Sequence, residues 1–239
     1  MSAERFTPQA DIIQEETNMK LRYRCLVLDH DDTTVRSTPD IHYPQWLETL
    51  RLMRPGVTMS LYEFMQYNFD LGFFNMCRDV MHFTKDETDK QYTMWKTYML
   101  SHTAPFYEGM AEIITDYKKA GGIICISTHS NKHNIIADYE AQGVPAPDRI
   151  YDYTMGEDKI KPSPYALVDI MESYGFKPEE ILTVDDMKSG FDMANEVGVP
   201  FACAGWSHIV PKIREYMKQN CDVYLQTTGE LRRLLFEDD

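Results

Sequence analysis

The sequence lacks any apolar run approaching the roughly 18 residues that a membrane span needs, so a membrane-embedded chain is not expected. It also lacks positive charge. Lys and Arg number 24 against 38 Asp and Glu, for a net charge of −14. Without a basic field to steer them, neither nucleic acid nor an anionic membrane surface is an expected partner. A phosphorylated small molecule stays open, because a metal ion and one lysine can invert the field at a single site. Cysteine is scarce and unpatterned. The five residues, Cys25, Cys77, Cys125, Cys203 and Cys221, are odd in number, show no metal-ligand spacing, and three lie in apolar runs. They read as reduced, mostly buried thiols of a cytoplasmic protein. Residues 1–18 have neither the apolar centre of a signal peptide nor a clear period and read as an N-terminal extension. No internal repeat or low-complexity tract occurs. What the 239 residues do contain, 43% of them hydrophobic and 26% charged, is material for one large domain or a core domain carrying an insertion.

Two grammars alternate along the chain. From about residue 105 to the end, short apolar runs alternate with helical patterns closed by glycine. Strands are expected at Cys25–Leu28, Ile123–Ile126, Arg149–Tyr153, Ile181–Val184, Phe201–Ala204 and Cys221–Leu225. Helices are expected at about 110–120, 132–142, 164–174, 186–197, 211–219 and 229–236, several of them stopped by Gly121, Gly143, Gly175 or Gly198. Strand alternating with helix means an α/β fold, a Rossmann-like parallel sheet with helices on both faces. Residues 38–104 break this rhythm. They show helical patterns at 45–53 and over 60–102, a capping box at Ser60 and Glu63, and many Met, Phe and Tyr, with no convincing strand. They read as an inserted all-helical cap subdomain, with 19–37 and 105–239 forming the core. The Met and aromatic stripe reads as packing rather than as a cofactor box.

The chemistry begins where the first strand stops. Cys25–Leu28 runs directly into Asp29, His30, Asp31 and Asp32. Three carboxylates in four positions repel one another and call for a hard divalent cation, with Mg²⁺ the natural candidate. In a parallel sheet the carboxyl ends of the strands share one edge, where ligands bind. Ser127 and Thr128 end the second strand, Lys161 follows the third, and Asp185 and Asp186 end the fourth. Together they make a kit for phosphoryl transfer: a carboxylate to attack phosphorus, further acids to hold metal, a hydroxyl and an ammonium for phosphate oxygens. Alternate residues of an extended segment share a face, which turns Asp29 and Asp31 into the site and His30 away. Taken singly, most of these residues have plain readings. Ser127 or Thr128 is an ordinary helix cap, Lys161 a solvated lysine, Asp185 and Asp186 capping acids, and His129 a turn or supporting residue. Their order at successive strand ends is the unusual feature.

That order resembles the haloacid dehalogenase-like hydrolase superfamily, in its phosphatase form with a helical cap after the first motif. Asp29-His30-Asp31-Asp32-Thr33 matches Asp-x-Asp-x-Thr. Thr128 or Ser127 matches the second motif, Lys161 in Lys161-Pro162-Ser163-Pro164 the third, and Asp185-Asp186-Met187-Lys188-Ser189-Gly190 the acidic fourth. The resemblance implies that Asp29 is the nucleophile and Asp31 the general acid and base, and that Thr128 and Lys161 bind phosphate. It implies Mg²⁺ held by Asp29, the Asp31 carbonyl and Asp186, with Asp185 assisting. Two positions depart from the pattern: Asp32 stands where glycine is usual, and His30 where an apolar residue is. The expected activity is hydrolysis of a small phosphomonoester through an aspartyl phosphate, by a monomer or weak homodimer. Alternatives are a phosphomutase, a phosphonate hydrolase using one of Lys85, Lys90 or Lys96, and a silent metabolite-binding protein. His42, Asn75 and Arg78 are candidates for substrate selection.

Overall fold

The structure is a computed structural model and describes residues 19–237; the N-terminal extension expected at 1–18 lies outside the described residues. Six strands, β2 (Cys25–Leu28), β3 (Ile123–Ser127), β4 (Arg149–Tyr151), β5 (Ile181–Asp185), β6 (Phe201–Ala204) and β7 (Val223–Leu225), form a parallel sheet in the order β4-β3-β2-β5-β6-β7. All four residues of β2 are fully buried. Cys25 and Val27 face one apolar layer while Leu26 and Leu28 face the other. A strand covered on both faces needs no polar alternation, which is why these runs are continuously apolar. Helices α5 (Met110–Lys119), α6 (Lys132–Ala141), α7 (Tyr165–Tyr174), α8 (Lys188–Glu196), α9 (Pro211–Asn220) and α10 (Thr228–Leu235) supply the covering layers. The chain builds outward from β2 to β3 and β4, then returns to lay β5 on β2's other side. That reversal opens a crevice at the carboxyl ends of β2 and β5, the usual ligand position in such sheets.

One pairing was not foreseen from sequence. No strand is expected before Cys25, but β1 (Lys20–Leu21) pairs antiparallel with β8 (Phe236–Glu237), tying the two ends of the described chain together. Strands this short have too little pattern to announce themselves.

Between β2 and β3 the insertion forms a wide helical turn at Thr38–His42 that runs into α1 (Tyr43–Met53), then α2 (Leu61–Leu71), the single turn α3 (Phe73–Asn75) with its continuation to Val80, and α4 (Lys85–Met99). The expected capping box at Ser60 and Glu63 starts α2, and a second at Thr84 and Glu87 starts α4. The insertion has an apolar centre of its own. Trp46 is fully buried, with its ring centroid 5.7 Å from those of Phe64 and Phe73 and 6.0 Å from that of Phe83. The aromatic stripe therefore packs, as expected, but it divides: Phe64 serves the insertion, whereas Met65 and Phe69 join the core's apolar layer with Ile213 and Met217.

The insertion leaves and re-enters the core through one neck. Arg36 N–H donates to Pro105 O at 2.8 Å and Tyr107 N–H to Thr34 O at 3.1 Å, so the outgoing and returning strands pair with each other. Helix α6 grips the return strand: Asp138 Oδ1 accepts the Ala104 N–H at 2.8 Å, and Gln142 accepts from Phe106 N–H and donates to Ala104 O.

Candidate active site

Backbone pairing delivers the first carboxylate. Asp29 N–H still donates to Val184 O at 2.9 Å, so the residue after β2 remains seated beside the end of β5. The chain then folds tightly: Thr34 and Val35 N–H both donate to His30 O, and Thr34 Oγ1 donates to Asp29 O at 2.6 Å. Across the crevice β5 delivers Asp185 and the following turn Asp186. One oxygen from each of Asp29, Asp185 and Asp186 lies within 4.8 Å of the others, and all three residues are buried. The spacing to Gly190 now has a reason, since a Cβ on Gly190 would lie 2.2 Å from Asp185 Oδ2. Only glycine lets α8 start that close to the carboxylate.

Lys161 comes from the loop before α7 and is the cation of the cluster. Its Nζ donates to Asp29 Oδ1 at 2.7 Å and to Asp185 Oδ2 at 2.5 Å. Burial alone would push its pKa down, but Asp185 and Asp29 outweigh burial and hold the ammonium charged. Three carboxylates against one ammonium leave negative charge uncompensated. The strain shows at Asp186, whose pKa is driven well up by burial and by Asp185, Asp29 and Asp32; among the described residues its carboxylate accepts only a 3.4 Å hydrogen bond from Thr33 Oγ1. A buried, under-satisfied oxygen donor set of this kind fits a hard divalent cation. Behind it, His208 Nε2 donates to the Asp186 carbonyl at 2.8 Å and Trp206 Nε1 to Thr33 O at 3.1 Å, fixing the two loops against each other.

The two candidates for the second motif separate. Ser127 Oγ faces Met193 Sδ at 3.6 Å in the apolar layer, whereas Thr128 follows the strand's end, and its Oγ1 accepts the Ser130 N–H at 3.0 Å. His129 Nε2 lies 2.8 Å from Lys161 O, where it steadies the lysine's loop. His30 points away from the acids, as alternation requires, and its Nε2 lies 2.9 Å from Asp138 Oδ2. This histidine had no sequence-level explanation; it links the acidic loop to the same aspartate that grips the neck.

Asp31 lies two residues beyond Asp29 and is partly exposed. Its Oδ1 is 3.1 Å from His42 Nε2, and Trp95 Nε1 of α4 donates to His42 Nδ1 at 3.1 Å. An indole N–H can only donate, so the His42 proton sits on Nε2 and is given to Asp31. Burial would raise the Asp31 pKa, but His42 outweighs it and holds the carboxyl well below the usual range. Asp31 in turn pulls the His42 pKa up against burial.

Of the other sequence candidates, Asn75 bonds Leu71 O and Arg78 pairs with Asp79, both on the exposed side of the insertion. Lys85 pairs with Asp89, and Lys90 and Lys96 are exposed. Sequence reasoning missed Trp95, placing it only in an apolar stripe, and missed a tyrosine pair joining insertion to core, Tyr92 Oη to Tyr153 Oη. Partners this far apart in the chain leave no local pattern.

Comparison with known proteins bears on the family and the fold. The sequence profile described as haloacid dehalogenase-like hydrolase matches residues 32–204, well over half of the chain and starting just after Asp29 and Asp31. A phosphoglycolate phosphatase from Mesorhizobium japonicum is 27% identical over 113 residues, a match that covers 46% of this chain and 48% of that protein, about half of each. Among solved structures, CbbY from Rhodobacter sphaeroides in complex with phosphate superposes with a TM-score of 0.67 at 19% identity, covering 87% of this chain and 96% of that one. A HAD family hydrolase from Deinococcus radiodurans with bound phosphate and sodium gives 0.70 at 20% identity, covering 90% and 98%. At such identities the structural likeness speaks for the fold.

Proposed function

The chain belongs to the haloacid dehalogenase-like hydrolases, and on that premise we propose that it is a Mg²⁺-dependent phosphatase acting on a small phosphomonoester through an aspartyl phosphate. The observation that carries this reading is the convergence of Asp29, Asp185 and Asp186 around Lys161, with Asp31 two residues along the chain from Asp29 and bonded to His42. Asp29 attacks phosphorus, the bond from phosphorus to the leaving oxygen breaks, and that oxygen takes its proton through Asp31 from the Asp31–His42 pair, whose proton rests on the imidazole while Asp31 is held ionised. Water then attacks the acyl phosphate, Asp31 takes the proton back, and Asp29 and inorganic phosphate are released. Lys161 and Thr128 hold the non-bridging oxygens as charge builds on them. Asp29, the Asp31 carbonyl and Asp186, with Asp185 assisting, would hold Mg²⁺, which when bound supplies the positive charge that lets two anions meet.

Residues 38–104 act in this reading as the cap over a core of 19–37 and 105–237. Support comes from the insertion's separate apolar centre and from its reach to Asp31 through His42. The free cysteines, four buried and Cys221 half-buried, fit a reducing compartment and so a cytoplasmic protein; among the described residues no helix is long and apolar enough to cross a membrane.

The test is phosphate release from sugar, nucleotide and small-acid phosphates, with Mg²⁺ and with chelator, by wild type and Asp29→Asn. Metal-dependent release that vanishes in the variant is expected. Equal inactivity of both across the panel would overturn the phosphatase reading in favour of a binding protein.

A further inference from the structure

Asp32 is the residue the mechanism leaves unused, and its backbone is unusual. It is buried, 6% exposed, with φ at +57°, a region glycine enters freely and a residue with a side chain enters at a cost. The turn alone would be better served by glycine, so the side chain has to be explained. Its Oδ1 accepts the Thr38 N–H at 3.0 Å. Thr38 opens the helical turn that continues into α1, and Ser37, at the N-cap position, gives that turn no side-chain hydrogen bond. A helix start normally takes its cap from the adjoining residue. Here the first turn of the insertion is capped by a carboxylate of the acidic loop itself. His42 lies at the other end of the same turn and reaches Asp31. Two neighbouring acids thus hold the two ends of one helical turn, Asp32 at its first N–H and Asp31 at its last side chain.

Resting on the phosphatase reading, we propose that Asp32 is a positioning residue: it registers the cap's entry helix on the acidic loop so that His42 meets the Asp31 carboxyl. The role needs an acceptor oxygen at this place and a residue tolerant of positive φ. Asparagine supplies both; glycine supplies only the second and relieves the backbone, so Asp32→Gly tests the contact without straining the fold.

The experiment compares wild type, Asp32→Gly and Asp32→Asn on an alkyl phosphate, whose leaving oxygen needs a proton, and on p-nitrophenyl phosphate, whose leaving group does not. Amide hydrogen exchange at Thr38 is followed in parallel. Asp32→Gly should lose about tenfold or more in kcat on the alkyl ester and less than about threefold on the aryl ester. Its Thr38 amide should exchange faster as the hydrogen bond is lost, and Asp32→Asn should restore both readouts. Wild-type behaviour of Asp32→Gly, equal loss on the two esters, or a failure of Asp32→Asn to restore them would each overturn the proposal. If wild type released phosphate from neither ester, the phosphatase reading would fail on its own. Exchange at Thr38 would then still decide whether Asp32 registers the insertion.

Discussion

In the core, the site acids stand on strand ends: β2 and β5 pair along their whole length, and Asp29 and Asp185 issue directly from that pairing. In the insertion, the site is reached through a single side chain, His42 to Asp31, and the core beside it through Tyr92 to Tyr153. Farther out the insertion rests on the core through Phe69 against Tyr216 and through an exposed ion pair, Lys212 with Asp70 at 2.7 Å. Groups that must stay within tenths of an ångström of one another are built on paired backbone. The insertion's contacts with the core are built on side chains.

The contrast should break first on the core side. With Asp186 in the metal-holding role proposed above, Asp186→Asn should lower turnover by about a thousandfold or more. It also removes one of the crowded charges, so the metal-free variant should melt higher than wild type, while its Mg²⁺-induced rise in Tm disappears. A variant that is active and still stabilised by Mg²⁺ would remove Asp186 from the metal site.

Next, the two apolar centres can be tested against each other. Trp46→Ala empties the middle of the insertion and should cost it about 3–5 kcal/mol. Urea unfolding followed at a probe in the insertion should then part from unfolding followed at the sheet. A single shared transition, shifted as a whole, would show that the two regions fold as one unit.

The core should also dominate sensitivity to acid. Burial, with Arg214 adding to it, holds the His208 pKa down to about 4, against about 6.5 in the unfolded chain. The neutral ring is locked in place, with Nε2 donating to Asp186 O and Nδ1 accepting from Tyr224 Oη. As pH falls from about 6.5 towards 4, the unfolded chain takes up a proton that the folded one refuses. Stability should fall through that window by up to about 3 kcal/mol. Denaturation midpoints measured across this range should slope less in His208→Gln.

The smallest expected effect probes the insertion's reach. His42→Ala should lower kcat on alkyl phosphates by about ten- to a hundredfold, and His42→Gln, which keeps an N–H near the position of Nε2, should recover part of it. An equal loss on p-nitrophenyl phosphate would mean that His42 shapes the site as a whole rather than serving Asp31.

The core was legible in sequence because both of its signals are local. β2 reads Cys-Leu-Val-Leu and β5 Ile-Leu-Thr-Val, and in a parallel sheet the end of each run fixes where the next residue must point. Asp29, Lys161, Asp185 and Asp186 could therefore be brought together on paper before any distance was known. The insertion offered helical periods and a capping box, enough to place α1 and the start of α2 but not the breaks that divide 60–102 into separate helices, and a period does not say which neighbour a face meets. Met65 and Phe69 turned out to serve the core, Trp95 to serve a histidine 53 residues earlier. Asp32 and His30, at odds with the family's usual pattern, were visible as departures only; their partners, Thr38 and Asp138, are fixed by the neck and by α6, which no local motif encodes.

The neck has a consequence for how such a protein can change over generations. Because the strands at 34–36 and 105–107 are already hydrogen-bonded to each other, the core's chain is closed beneath the insertion, whatever length of chain hangs from it. The entropy of closing a loop rises only slowly with its length, so a longer, shorter or wholly different insertion could be grafted at this point, provided that it supplies the packing Met65 and Phe69 give the core layer. A lineage could thus exchange one insertion for another while Asp29, Asp185 and Asp186 below are inherited intact.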